Sequence, residues 1–461
     1  MQDDNKIELS ESYKYFVTIS IDGVSFAGEL SLTPNRIVFR FGGDTSSNRS
    51  YDYPGIKIDT LECKGVKQNF ILFGLHEISF KSQHLPDNPE PMGSFEVSYE
   101  VGHVIICPLN LDRENINSVQ IHSSTFSNWL GYTTTQQKIL DSHGYSIRNS
   151  DAGVTVSIYE FSCPIKDIGK LYQRYNVKEF FSLADYSAGL TFPPSLNIAI
   201  DGSIKTEDIF GLYNKTYNLF SVLHGDELLI ECIELCSQDN LPRRSGFLYY
   251  PTTKDRVRFS RSFSLFPLGK NLKFDTQGLP QLSEGSFENY FNLPSKNLEY
   301  WGKYIKYRRM KNIEERFLGY FRLLEALTYT TRSYLDGEKL KSICRTLKPD
   351  LIKHFEDKSA VNKFMARLPR LNNSKYNTQA CMSEFYGAIP EQAKKMLKLN
   401  DSHIESICRL RNDISHANDY YESEEDLWDK CHFVEALLIF SMFLDIGISL
   451  SDTGRVIHRL H

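Results

Sequence analysis

Hydrophobic and polar residues alternate through the first half of the chain, in short β-branched and aromatic runs separated by turn residues. The stretch GELSLTPNRIVFRF alternates on both sides of Pro34-Asn35, which is typical of two half-buried antiparallel strands. Similar runs recur as far as residue 250. Together they predict strands at Tyr15–Ile21, Val24–Thr33, Arg36–Phe41, Ile56–Cys63, Phe70–Leu75, Phe95–Tyr99, Val104–Cys107, Val119–His122, Tyr145–Arg148, Val154–Phe161, Leu196–Ile200, Leu228–Cys236 and Phe247–Tyr250.

One segment of the first half follows a helical pattern instead. Apolar residues recur at helical spacing between Thr206 and Leu223, with Glu207 and Asp208 in the predicted first turn and Gly225 just past the end. We therefore divide the first half into a β-rich part, residues 1–164, and a second α+β part with a linker, residues 165–294.

The pattern becomes helical near residue 295 and stays so. Residues 267–297 are rich in Gly, Pro, Asn and Ser, which is typical of a linker. Beyond them, apolar residues spaced about 3.6 apart predict helices at about 297–311, 313–333, 337–347, 350–357, 359–367, 378–397, 401–417 and 424–450. The sequence thus predicts an α+β multidomain protein, a β-rich N-terminal half followed by an all-α bundle at 295–461.

The charge of the chain is small overall but uneven. The 461 residues carry a net charge of −5, which argues against a uniformly basic nucleic-acid binder. Residues 1–294 have 26 basic and 35 acidic side chains, whereas residues 295–418 have 24 basic and 14 acidic ones. The last 43 residues are acidic again, with 3 basic and 9 acidic side chains. The helical half therefore contains a basic segment beside an acidic tail.

Cysteine usage and the longest apolar run bear on the compartment. The nine cysteines are widely spaced and include no CxxC pair, so we expect neither disulfides nor a zinc ribbon, and a reducing cytoplasmic location. The N-terminus is acidic and polar, without the apolar segment of a signal peptide. Phe433–Leu450 is strongly apolar but contains Glu435 and Asp445, which favours a buried bundle helix over a membrane span. We expect no cofactor and no metal.

The segment Arg411-Asn412-Asp413-Ile414-Ser415-His416 carries the most specific chemistry in the sequence. On a helix, Asn412 and His416 are one turn apart and Arg411 lies at the same edge. Asp401-Ser402 is the predicted N-cap of this helix. An arginine binds phosphate, a histidine moves a proton near neutral pH, and an asparagine orients either group. Together they suit cleavage of RNA, whose own 2′-hydroxyl attacks the phosphorus.

The spacing alone leaves a plainer interpretation open. An Arg-x4-His pair is expected by chance about 0.6 times in this composition, and roughly 0.04 times when Asn must follow the Arg. A capped surface helix with a polar face would explain the same residues.

Two segments extend the pattern to a resemblance with a known family. RNDISH, in the second-last predicted helix, resembles the RNxxxH motif of HEPN ribonucleases. The helix EERFLGYFRLLEALT at Glu314–Thr328 is similar to the first core helix of the ApeA-like HEPN domain. FAGELSLTPNRIVFRF and FSNWLGY in the first half are similar to the ApeA N-terminal domain, so the resemblance covers essentially the whole chain.

The resemblance implies an anti-phage abortive-infection protein, with the all-α half as a HEPN helical bundle. It implies a metal-independent endoribonuclease toxin that leaves cyclic phosphate and 5′-hydroxyl ends, with tRNA as a candidate substrate. It also implies a homodimer in which two RNxxxH motifs face one cleft. The phage trigger is unknown, no membrane is involved, and the N-terminal half would be a sensor or regulator.

Carried over residue by residue, the resemblance assigns Arg411 to the scissile phosphate, His416 to general acid–base chemistry and Asn412 to positioning. Glu325 is an acid within an apolar helix, on the face Phe321-Glu325-Thr328-Arg332, so we expect it to pair with Arg411 or Arg322. Its role is either catalytic support or a structural salt bridge. Further candidates for RNA binding are Arg409, Arg322, Lys394 and Lys395.

Two other functions remain compatible with the sequence. The helical half could be a non-catalytic HEPN module that binds RNA or mediates dimerisation. Alternatively, the first half could be a ligand-binding β-sandwich, with the helical half serving only for dimerisation.

Overall fold

The structure is a computed structural model, which describes residues 6–21, 23–44, 59–84, 93–108, 116–148, 158–182, 184, 186–237, 245–252, 263–274, 278–330, 335–372 and 378–460. The chain forms two compact units, Met1–Pro294 and Ser295–His461. The first is rich in strands and the second is helical, which confirms the predicted fold class. The predicted domain boundary after residue 164 stays a prediction, and strands on either side of it share one sheet.

The first six strands form a closed ring. Their order is β3-β2-β1-β4-β5-β6, and β3 also pairs with β6 in antiparallel register, so the last strand returns to the first. Successive side chains of a strand point to opposite faces, so the alternating sequence places Leu30, Phe39 and Val97 in the core with no exposed surface. The strands are β1 (Tyr13–Ile21), β2 (Val24–Leu32), β3 (Ile37–Asp44), β4 (Thr60–Lys64), β5 (Gln68–His84) and β6 (Gly93–Pro108).

Six more strands continue the same sheet beyond β6, and a separate two-stranded hairpin follows β9. The order beyond β6 is β14-β13-β7-β12-β9-β8, whereas β10 and β11 pair with each other in a two-stranded sheet. The remaining elements of this unit are β7 (Ile116–Ser123), α1 (Phe126–Leu130), α2 (Thr134–Arg148), β8 (Ser162–Ile165), β9 (Gly169–Tyr175), β10 (Lys178–Ser182), β11 (Ser187–Thr191), β12 (Pro194–Ile204), α3 (Thr206–His224), β13 (Ile230–Ser237), β14 (Gly246–Tyr249) and α4 (Gly285–Phe291).

The predicted strand at Tyr145–Arg148 is wrong, because these residues end helix α2. Alternating Tyr and Ile over four residues suggested a strand, but the residues before them include Gln136, Gln137, Lys138 and Leu140, which favour a helix that continues to Arg148. The predicted strand Val154–Phe161 lies partly outside the described residues, and its described part, 158–161, precedes β8. Residues 56–58 of another predicted strand also lie outside the described part of the chain.

The predicted helix in the first unit is confirmed as α3. Glu207 and Asp208 lie in its first turn, where their negative charges interact favourably with the positive end of the helix dipole. Gly225 ends it with φ of 79°, a left-handed conformation that costs glycine little.

The second unit consists of helices, with boundaries that differ from prediction mainly at prolines. The two helices predicted at 337–347 and 350–357 form one helix that continues through Pro349, whereas the helix predicted at 378–397 ends before Pro390. The helices are α5 (Ser295–Arg308), α6 (Ile313–Thr328), α7 (Gly337–Phe355), α8 (Lys358–Asn372), α9 (Thr378–Ala388), α10 (Glu391–Lys394), α11 (Ile404–His416), α12 (Glu424–Asp445) and α13 (Leu450–Val456), with short 3-10 turns at Asp401–His403 and Ile457–Arg459.

A buried carboxylate links three of these helices. Glu435 of α12 is only 4% exposed, and its Oε1 accepts hydrogen bonds from the Tyr304 hydroxyl of α5 (2.7 Å) and the Tyr320 hydroxyl of α6 (3.1 Å). The two tyrosine rings stack with centroids 5.5 Å apart. Burial, and then the charge of Glu435, raises the pKa of Tyr320 well above its usual value, so this hydroxyl stays a donor.

The apolar stretch predicted to be a buried bundle helix forms most of α12. Its side chains from Phe433 to Phe443 are buried in the second unit. Among the described residues, none of the helices combines the length and apolar character needed to cross a membrane.

We predict that Gly319→Ala destabilises the second unit. A Cβ at Gly319 of α6 would lie 2.4 Å from Cγ of Tyr307 in α5, so the ring or the helix would have to move. Overpacking of this kind costs about 1–3 kcal/mol of unfolding free energy. Gly387→Ala in α9 is the matched control, because a Cβ there meets nothing within 4 Å. It should gain up to about 1 kcal/mol. Urea unfolding of both variants measures the difference, and equal stabilities would contradict the prediction.

We also predict that His103 makes the first unit sensitive to acid. The His103 ring of β6 is stacked between Phe73 (4.8 Å) and Phe210 (4.1 Å), and burial lowers its pKa to about 4. The unfolded chain binds a proton at this residue below its ordinary value of 6.5, whereas the folded chain does not until about pH 4. Stability is therefore lost as the pH falls through this range.

The variant His103→Phe should remove this loss. From pH 7 to pH 5, its unfolding free energy should rise by about 2 kcal/mol relative to that of the wild type. Denaturant unfolding at the two pH values measures it. His76→Phe, at an exposed position of β5, is the control and should show no such change. If the difference in unfolding free energy between His103→Phe and the wild type were the same at both pH values, the assignment would be contradicted.

Candidate functional site

Helix α11 carries the RNDISH segment, and its ends are well defined. It follows a 3-10 turn that is capped by Asn400, whose Oδ1 accepts from the Ser402 amide at 3.1 Å. The predicted N-cap at Asp401-Ser402 is wrong, because these residues belong to the 3-10 turn and Asn400, with extended backbone, caps that turn. His403, which directly precedes α11, makes no side-chain hydrogen bond that caps this helix. The helix ends at His416, and the next residue, Ala417, caps it with a left-handed φ of 52°.

The packing of α11 decides which side chains face solvent. Ile404, Ile407 and Leu410 are buried at spacings of three residues, which places one stripe of the helix in the core. Arg411 follows Leu410 at the edge of that stripe and is half-buried, whereas Asn412 and His416 are exposed. The segment thus presents its polar groups at the rim of the buried face.

Arg411 is held on three sides. Its Nη1 donates to Oδ1 of Asn412 at 3.0 Å and its Nη2 donates to Oε2 of Glu325 at 3.3 Å. Its guanidinium carbon lies 5.5 Å from the centroid of the Phe321 ring, within range of a cation–π contact. The side chain nevertheless keeps 31% of its surface exposed, so the guanidinium remains accessible to a ligand.

Glu325 joins three helices at this point. Its Oε2 pairs with Arg411 of α11, and its Oε1 accepts from the Thr378 hydroxyl of α9 at 2.7 Å. Of the two expected partners, Arg411 forms the ion pair, whereas Arg322 is exposed elsewhere on α6. Arg332, on the predicted face of this helix, lies outside the described residues. Thr378 could not be identified from the sequence, because it is 53 residues from Glu325.

His416 is the last residue of α11 and lies outside the Arg411–Glu325 network. Its ring is exposed and forms no hydrogen bond or ion pair with any residue that the structure describes. Asn412, one turn earlier, contacts Arg411. The structure therefore brings Arg411, Asn412 and Glu325 together and leaves the imidazole open to solvent.

The remaining candidates for RNA binding differ in the exposure of their side chains and in whether they already form ion pairs. Arg322 and Lys395 are exposed, and Arg409 is exposed while paired with Glu405 of the same helix at 3.3 Å. Lys394 is mostly buried, with 14% of its side chain exposed, and it pairs with Glu391 at 2.7 Å and lies over the Tyr386 ring. Its ammonium is thus already engaged within the protein.

The pKa of Cys408, which lies one turn before Asn412, depends on the charges of the site. Burial raises the pKa of its thiol to about 11, Arg411 opposes this rise and Glu325 adds to it. Throughout the described ranges, no group of three or more His, Cys, Asp or Glu side chains is arranged to hold a metal ion.

Comparison with known families gives two matches. The family described as ApeA N-terminal domain 1 matches residues 12–276, more than half of the chain. The family described as Apea-like HEPN matches residues 318–452, which include most of α6 and all of the helices from α7 to α12. No curated protein and no solved structure is significantly similar to the chain.

We predict that the Cys408 thiol reports the Arg411–Glu325 pair. Because Glu325 raises the pKa of Cys408 and Arg411 lowers it, Glu325→Gln should speed alkylation of Cys408 by iodoacetamide, and Arg411→Ala should slow it. Peptide mass spectrometry after a timed pulse at pH 8 measures both, with an expected change of roughly threefold. Cys236, a half-buried thiol in β13, is the internal control. The same direction for both variants would show that the charges do not control the thiol.

Proposed function

We propose that this chain, which belongs to the family of ApeA-like proteins with a C-terminal HEPN domain, is an endoribonuclease acting through the RNxxxH motif of α11. At the family level it is an anti-phage HEPN nuclease. The proposal adds the substrate, RNA with tRNA as a candidate, and the residues that act on it. The supporting observation is a positioned yet accessible guanidinium on the same helix as an exposed imidazole.

The proposed reaction uses a nucleophile that belongs to the RNA. His416, as the neutral imidazole, accepts the proton of a ribose 2′-hydroxyl, whose oxygen attacks the adjacent phosphorus. The P–O5′ bond breaks and the 5′-oxygen takes up a proton, which leaves a 2′,3′-cyclic phosphate and a 5′-hydroxyl. Arg411 binds the non-bridging oxygens, where negative charge develops.

Asn412 and Glu325 act on Arg411 in this proposal. Each accepts one hydrogen bond from the Arg411 guanidinium, Asn412 from Nη1 and Glu325 from Nη2. These bonds orient the guanidinium and leave its remaining N–H groups for phosphate. Glu325 is itself oriented by Thr378, which limits the number of conformations that Arg411 can adopt. Glu325 is thus a positioning residue.

The assembly and biological context are also part of the proposal. A homodimer formed by the HEPN domain would bring two RNxxxH motifs together, so the imidazole of one copy could protonate the oxygen that leaves from the other. The β-rich unit would sense a phage trigger and restrain the toxin. A cytoplasmic location is supported by nine cysteines that are all free thiols.

We predict that His416→Ala and Arg411→Ala each reduce RNA cleavage by at least about a hundredfold. End-mapping of cellular RNA after induction, with a parallel test of toxicity, measures the effect. His458→Ala removes another exposed histidine of the same unit and is the control, with cleavage unchanged. Unchanged melting temperatures confirm that the variants fold.

Full cleavage by folded His416→Ala would overturn the assignment. A wild-type protein that binds RNA without producing new ends would instead support the non-catalytic HEPN module.

A further inference from the structure

Helices α7 and α8 form a hairpin with a core of its own. Cys344 of α7 packs with Val361 and Met365 of α8, and further apolar side chains surround this cluster. At its end, the amide and carbonyl groups of Leu335 bond to the Asn372 side chain at 2.7 and 2.9 Å. The hairpin is therefore a defined element within the second unit.

The surface of this hairpin is strongly cationic. Residues 335–372 contain nine Lys or Arg and five Asp or Glu side chains, and all nine cations are exposed. Three of the acids are already engaged. Asp336 caps α7, Asp357 caps α8, and Glu338 pairs with Lys341 at 2.8 Å. The other eight cations form no ion pair with any described residue, so their charge is available to a polyanion.

Three of these cations form a stripe along α8. Lys363, Arg367 and Arg370 follow each other at spacings of four and three residues, which places them on one helix face with neighbouring Cβ atoms about 5–6 Å apart. This face is opposite to Val361 and Met365, the residues that pack against α7. A row of cations on an outward face can follow a sugar–phosphate backbone.

An aromatic cleft lies beside this stripe. It has a volume of about 380 Å³ and is lined by Leu351, Phe355, Asp357, Ala360, Val361 and Phe364. Phe355 and Phe364 are 64% and 56% exposed, so both side chains are accessible from solvent, and the His354 ring packs edge-on to Phe355 with centroids 5.6 Å apart. Phe364 is next to Lys363 and one turn from Arg367, which joins an aromatic surface to phosphate-binding groups.

We propose that the α7–α8 hairpin is the element that captures RNA, by binding an unpaired stretch of the strand. The cations of the α8 stripe hold successive phosphates, and the cleft between Phe355 and Phe364 takes a base by stacking. This inference rests on the proposed ribonuclease function and assigns substrate capture to residues separate from Arg411 and His416. RNA is favoured over an apolar protein segment because the hairpin that carries the cleft has eight exposed cations that pair with no described acid.

Binding of a labelled single-stranded 20-nucleotide RNA tests the proposal. In the His416→Ala background, which prevents cleavage, the variant Lys363→Glu/Arg367→Glu/Arg370→Glu should bind at least tenfold more weakly by fluorescence anisotropy. The slope of log K against log salt should fall by about 2, since each lost phosphate contact removes about 0.7. Lys64→Glu/Lys67→Glu/Lys166→Glu makes the same charge change at exposed positions of the first unit and should change binding less than twofold.

A second variant tests the aromatic cleft. Phe364→Ala should weaken binding of the single strand on the order of tenfold while changing binding of a duplex of equal length less than twofold. Circular dichroism melting confirms that the helices persist. In the nuclease-competent protein, the triple α8 variant should raise KM for RNA and leave kcat unchanged.

Unchanged RNA affinity of the triple α8 variant overturns the inference, as does an equal loss in the first-unit control. Loss of binding to anionic vesicles with RNA binding intact would identify a lipid surface instead, and also overturns it. A wild-type protein that captures RNA through the hairpin but cleaves none would refute the proposed nuclease and leave the hairpin assignment standing.

Discussion

The second unit depends on how the Glu435 carboxylate is kept inside the bundle. A buried charge is costly unless its hydrogen bonds are satisfied, and here the donors are tyrosines on two other helices. Satisfying Glu435 therefore fixes α5 and α6 against α12. Arg316 of α6 adds to this junction by lying over the Trp428 ring of α12 at 5.1 Å. The position of α6 is thus set by polar contacts as well as by apolar packing.

The candidate site follows from the position of α6. Phe321 lies one residue after Tyr320, and Glu325 lies one turn further along the same helix. With α6 held by Glu435, these two side chains meet α11 where Arg411 emerges from the buried stripe. The guanidinium is consequently oriented by a chain of contacts that begins in the core of the bundle, at the hydrogen bond between Tyr320 and Glu435, which are 115 residues apart in sequence.

Local patterns in the sequence predicted much of this arrangement. Alternation predicted the strands of the closed ring, and the acidic first turn and Gly225 predicted both ends of α3. The need of Glu325 for a cation predicted its pairing with an arginine. The sequence did not predict elements that are only a few residues long or contacts between residues that are far apart along the chain. The four residues at Tyr145–Arg148 carry too little periodicity to separate a strand from a helix end, and Thr378 reaches Glu325 only through tertiary packing. The α8 stripe was hidden because its cations, taken singly, resemble any solvated helix face.

The ion pair between Arg411 and Glu325 has a consequence for how the site would meet the RNA that we propose as its substrate. Glu325 neutralises the charge of Arg411 at short range, because opposite charges 3.3 Å apart act at a distance as a small dipole. The Arg411 site therefore exerts little long-range electrostatic attraction on polyanions. Under the proposed function, random collisions of RNA with the Arg411 site would then be brief. The time that RNA stays bound and the rate at which it is cleaved would then depend on different residues. A mutation could change one of these properties without changing the other.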